Sequence, residues 1–199
     1  MNVLTVDYQA ADAPQRFVES LHNTGFGVLT NHPISQQMVQ SIYDNWYEFF
    51  MSEAKHDFLF DPATQDGYFP PDVSEIAKDH TVKDIKEYFH IYPWGKMPAH
   101  LQQQILEYYQ LANELAQELL GWVEKHSPSE VAQHYSQSLS SMIEGSKGTL
   151  LRVLHYPPLT GEEEPGAIRA AAHGDINLLT MLPAANEPGL QVQAKDNSW

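Results

Sequence analysis

From Gly148 onward the sequence changes character, and that change constrains the fold more than anything before it. Three β-type runs, "TLLRVLHY", "AAHGDINLLTML" and "GLQVQ", follow one another, joined by the loops "PPLTGEEEPG" and "PAANEPG". Short apolar runs with Pro- and Gly-rich connections read as strands of one sheet or barrel. The expectation is strands over 149–155 and 176–182, with 157–167 as a surface loop.

The chain before this point is mostly helical. "LTVDY" (4–8) reads as a short strand, and "DAPQRFVESLHNTG" carries helix signals: Asp12 as N-cap, Pro14 in the first turn and Gly25 at the end. "FGVLTN" (26–31) is a β-type run closed by the turn "NHP". From Ser35, Met38, Ile42, Trp46 and Phe49 or Phe50 recur along one side of a helix. The Pro-, Gly- and Asp-rich stretch 60–72 reads as a loop, "EYFHIY" as a strand, and 98–126 and 128–144 as two helices split by "SPS". There is no fixed-period repeat and no evident interdomain linker. The class is α+β with a mainly β core, and 199 residues suffice for one sizeable domain or two small ones.

Charge and composition exclude several function classes. A net charge of −15 repels phosphate backbones and anionic lipid, so neither nucleic acid nor membrane is an expected partner. The chain has no cysteine, which excludes disulfides, thiolate metal sites and a cysteine nucleophile; a metal here must use His, Asp or Glu. The N-terminus lacks a basic region followed by an apolar one, and no run approaches the ~18–20 apolar residues of a membrane span. A soluble, cytoplasmic protein is the expectation.

His173 and Asp175 sit two apart at the head of an apolar run. In extended chain, residues i and i+2 project from one face, so imidazole and carboxylate can share a cation. With a second His they would form a 2-His-1-carboxylate facial triad, which leaves positions open on Fe(II). The spacing alone decides little: ten His and eleven Asp give about half a His-x-Asp by chance. A His at a strand start beside a turn-capping Asp is the plainer alternative.

The surrounding sequence carries more information. Arg152 with "YPP" (156–158), His173 with Asp175, "LLTML" (178–182), "GLQV" (189–192) and Trp199 occur in order. This order resembles the isopenicillin N synthase-like branch of the Fe(II)- and 2-oxoglutarate-dependent oxygenases. "TGFGVLTNHPIS" (24–35), "DGYFPP" and "KDIKEYFHI" are similar to that family's earlier segments. The sequence departs from the family at Leu154, where many relatives carry Asn, and at Gly174, where Thr is commoner.

The resemblance implies a double-stranded β-helix, a jelly-roll barrel with helices packed outside. The whole of 1–199 would be one oxygenase domain, with 1–147 its N-terminal strands and helices and 148–199 the first part of the metal-binding core. His173 and Asp175 would be two iron ligands, with Tyr156 contacting 2-oxoglutarate and Arg152 on the same strand face. The family's distal His and its 2-oxoglutarate-clamping Arg lie further along the chain, whereas His173 is the last His here. The expectation is therefore a C-terminally shortened chain with an incomplete barrel, inactive by itself. The implied reaction is oxidation of a small organic substrate with O2, Fe(II) and 2-oxoglutarate. The alternatives are an iron oxidase of the same fold that uses no 2-oxoglutarate, and a non-catalytic binding or structural fragment. Substrate and oligomeric state are left open.

Overall fold

A computed structural model describes residues 2–73, 82–195 and 197–199. The chain divides into two compact units: Met1–Gln36 with Gln110–Gly145 and Leu179–Trp199, and Gln37–Tyr109 with Ser146–Leu178.

The first unit opens with a strand-helix-strand element. β1 (Thr5–Asp7) and β2 (Val28–Thr30) pair in parallel, Val6 opposite Leu29. Parallel strands need a crossover, and α1 (Ala13–Thr24) supplies it. The helix starts with a proline in its first turn and stops at Gly25, whose φ of 78° is left-handed and whose N–H caps Leu21 O at 2.8 Å. Gly27 is small for a packing reason, since a Cβ there would lie 2.7 Å from the Phe17 ring. Phe17 and Tyr8 both pack on Trp122, and the Tyr8 hydroxyl donates to Glu118 at 2.6 Å. That hydrogen bond, with burial, pushes the Tyr8 phenol up to about 12.

The second unit holds the candidate site. Its sheet is antiparallel, in the order β3 (Gly67–Phe69), β4 (Glu87–Ile91), β5 (Leu151–His155). Opposed residues share a face, so the register sorts side chains into two sets. Tyr68, Glu87, Phe89, Ile91, Val153 and His155 lie on one face; Phe69, Tyr88, His90, Arg152 and Leu154 lie on the other. α2 (Gln36–Met51) covers the first face. Trp46 and Phe49 meet Phe89 edge-on at 5.1 and 5.7 Å between centroids, and all three are almost wholly buried.

Four expectations fail locally. The loop predicted over 60–72 contains β3, because Tyr68 and Phe69 find ladder partners on β4. The helix predicted over 128–144 is one turn, α4 (Ser129–Ala132), followed by a 3-10 turn at Ser140–Met142. This stretch is serine-rich, and Glu124, near the end of α3 (Ala99–His126), takes the Leu139 N–H that a continuing helix would have used. No strand forms over 176–182 or at "GLQVQ". A β-type run becomes a strand only when a neighbouring strand completes its ladder, and neither described sheet includes these residues. The described residues therefore show mixed helices and sheets and no closed barrel. The run 149–155 is a strand as expected, from Leu151. No described helix is long and apolar enough to cross a membrane.

Candidate functional site

β5 brings Arg152 and Leu154 to the face away from α2, and Tyr156 continues the alternation one residue past the strand. Arg152 is held there by β4. Its Nε donates to His90 Nε2 at 2.9 Å, and its Cζ lies 4.7 Å from the centre of the Tyr88 ring. Phe69 stacks on Tyr88 at 4.7 Å and meets His90 at 4.5 Å, closing the floor of the cluster. Tyr156 remains 40% exposed. Burial of its ring and the nearby Asp84 carboxylate raise its pKa, and the Arg152 charge offsets part of this. The phenol is thus a protonated hydrogen-bond donor at neutral pH.

The irregular segment carrying His173 and Asp175 is tied to the lead-in of β4. Ile85 N–H donates to Ile168 O at 2.8 Å, and Ala171 N–H to Asp84 Oδ1 at 3.0 Å. The other Asp84 oxygen takes the buried Lys86 ammonium at 2.7 Å. Two residues beyond Ala171, His173 Nδ1 lies 2.8 Å from the Ala171 carbonyl. A carbonyl only accepts, so Nδ1 carries a proton and is held by the backbone. Across the ring, Nε2 faces Asp175 Oδ1 at 3.6 Å. Two donors each ~2.1 Å from one ion can lie no more than ~4.2 Å apart, so this pair meets the limit for sharing a cation. Backbone anchoring of the other ring nitrogen is what metal-binding His residues ordinarily show. Both side chains are about half exposed. Among the described residues no group of three His, Asp or Glu converges to hold a metal.

Behind the sheet, on the α2 face, Glu87 is buried among three donors. Lys55 Nζ lies at 3.0 Å and His155 Nδ1 at 2.7 Å, and the Tyr68 hydroxyl donates as well. Burial alone would raise Glu87, but these bonds outweigh it and hold the carboxyl below its usual range. Phe50 stacks on His155 at 5.4 Å. The network fastens the end of β5, one residue before Tyr156.

Sequence reasoning selected Arg152, Tyr156, His173 and Asp175 and missed His90, Tyr88 and Asp84. Alternation within "EYFHIY" places Tyr88 and His90 on a common face, but only the β4–β5 register shows that Arg152 shares it. Asp84 lies in the family-like segment "KDIKEYFHI", but nothing in the sequence ties it to Ala171.

Residues 5–125 match the family described as "non-haem dioxygenase in morphine synthesis N-terminal". The crystal structure of a protein from Shewanella oneidensis, described as a "Putative oxygenase", is 58% identical. It covers 100% of this chain, which covers 70% of it, with a TM-score of 0.88. The 2-oxoglutarate-dependent dioxygenase ucsF of Acremonium sp is 25% identical, over 92% of this chain and 61% of its own length. The fold is also that of a full-length Neurospora crassa protein solved in complex with alpha-KG, at a TM-score of 0.65 and 19% identity, over 87% of this chain and 61% of that one. The chain spans between 30% and 61% of the length of the curated relatives it matches.

Proposed function

The chain belongs to the non-haem dioxygenase family, and from that premise we propose that it carries part of the active site of an Fe(II)- and 2-oxoglutarate-dependent oxygenase acting on a small organic substrate. The observation that carries this reading is the His173–Asp175 pair, with Nε2 and a carboxylate oxygen 3.6 Å apart and Nδ1 held by Ala171 O. His173 and Asp175 are two ligands of a facial triad, and a further His completes it. Iron with 2-oxoglutarate and O2 supplies the oxidising chemistry, in which 2-oxoglutarate becomes succinate and CO2 while the second oxygen atom enters the substrate. Tyr156 donates a hydrogen bond to 2-oxoglutarate, and Arg152 sets a positive charge on the same face. Asp84 holds the segment that carries the two ligands. The 2-oxoglutarate named for ucsF supports this cosubstrate over an oxidase that uses none.

The test is succinate formation by the natural protein supplied with Fe(II), 2-oxoglutarate and O2. We expect turnover in the wild type, even uncoupled from substrate, and its loss in His173→Ala and Asp175→Ala. Unchanged succinate formation in both variants would remove the pair from the site.

A further inference from the structure

We propose that Asp84 is a positioning residue for the iron: by holding the backbone of Ala171 it presets the His173 imidazole, so that docking of 168–171 on the lead-in of β4 and metal binding form one linked equilibrium. The inference rests on the reading above that His173 and Asp175 are iron ligands.

The described residues 157–178 contain no helix or strand, so no ladder fixes the backbone from which His173 and Asp175 project. Among them only Ala171 is buried, and the two ligand side chains are about half exposed. Bonds to residues 84 and 85 hold the segment instead. Ile85 donates its N–H to Ile168 O at 2.8 Å, and the Asp84 carboxylate takes the Ala171 N–H at 3.0 Å. Ala171 is bonded on both sides, since its carbonyl accepts from His173 Nδ1 at 2.8 Å. A buried carboxylate, one residue of backbone and the ligand imidazole thus form a continuous chain of hydrogen bonds. Lys86 Nζ, 2.7 Å from the second Asp84 oxygen, compensates the buried charge at the head of that chain. With the segment docked, the imidazole is oriented before iron arrives. Undocked, iron binding must also order the chain, and ordering backbone costs free energy. A metal that binds the docked form alone is weakened by the fraction undocked, and in turn deepens the docking.

The experiment uses the natural protein under anaerobic conditions, with Fe(II) alone as the probe. Affinity is read by equilibrium dialysis, and docking by amide hydrogen exchange at Ala171, resolved by mass spectrometry. Two double variants differ only at residue 84 and share Lys86→Met, which removes the ammonium that would otherwise be stranded. In D84A/K86M the acceptor is gone. We expect its Fe(II) affinity to fall about tenfold or more, and its Ala171 amide to exchange fast with or without the metal. In D84N/K86M the amide oxygen can still accept from Ala171, so most of the affinity and of the protection should return. In the wild type Fe(II) should slow exchange at Ala171, and Asp175→Ala should abolish that slowing. Wild-type affinity in D84A/K86M, or equal losses in the two double variants, would overturn the positioning role while leaving His173 and Asp175 as ligands. Full Fe(II) affinity in Asp175→Ala would instead overturn the reading beneath it. A wild-type Ala171 amide indifferent to bound Fe(II) would also overturn the positioning role, and this measurement decides alone should the double variants fail to fold.

Discussion

Ala171 donates its backbone N–H to Asp84 Oδ1 at 3.0 Å, and this bond ties the segment carrying His173 to the lead-in of β4. The same carboxylate neutralises Lys86, and both side chains are buried. Removing one partner of a buried ion pair leaves the other charge uncompensated, at a cost of about 3 kcal/mol or more. Asp84→Ala should therefore lower the urea midpoint strongly and speed hydrogen exchange at Ala171. Asp84→Ala/Lys86→Met, which removes both charges, should recover part of the stability but not the protection at Ala171. A double variant as unstable as the single one would show that the ion pair is not the cause.

Glu87 gives the second unit an acid limit. Its folded-state pKa lies below the ordinary 4.5, so its contribution is fully present above that value and is lost as pH falls through the folded one. Tyr68, raised by burial and by its bond to Glu87, has the opposite sign: its contribution is full below its ordinary 10.0 and declines as pH rises above it. Glu87→Gln should flatten the stability profile below about pH 4.5 and weaken its alkaline arm. Melts across pH that retain the wild-type acid slope in this variant would contradict the assignment.

The legible parts of the molecule were those with local causes. Helix α1 announced itself through Pro14 and Gly25, α2 through the spacing of Ile42, Trp46 and Phe50, and β5 through an apolar run before "YPP". His173 and Asp175 come within 3.6 Å because residues two apart in the chain need no distant partner to approach each other. Pairing-dependent features were not. β3 looked like loop until β4 lay beside it, and 176–182 looked like strand although no described strand accompanies it. Likewise, His90 and Arg152 are 62 residues apart, and no pattern in the sequence joins them before the register is known.

The exposed apolar side chains of this region have a consequence in solution. Ile176, Leu178, Leu182, Leu190 and Trp199 are all more than 60% exposed, and large apolar side chains left in water favour association. Residues 1–199 should self-associate or bind a hydrophobic dye such as ANS. Sedimentation of a clean monomer with no dye binding would show that these side chains are covered in some other way.

The central claim is that His173 and Asp175 hold one iron, and stoichiometric Fe(II) binding under anaerobic equilibrium dialysis tests it most directly. The natural protein should retain one Fe(II) per chain, and Asp175→Ala should lose it while melting near the wild-type temperature, since the Asp175 side chain is about half exposed. Retention of one tightly bound Fe(II) by Asp175→Ala would place the iron elsewhere and contradict the account.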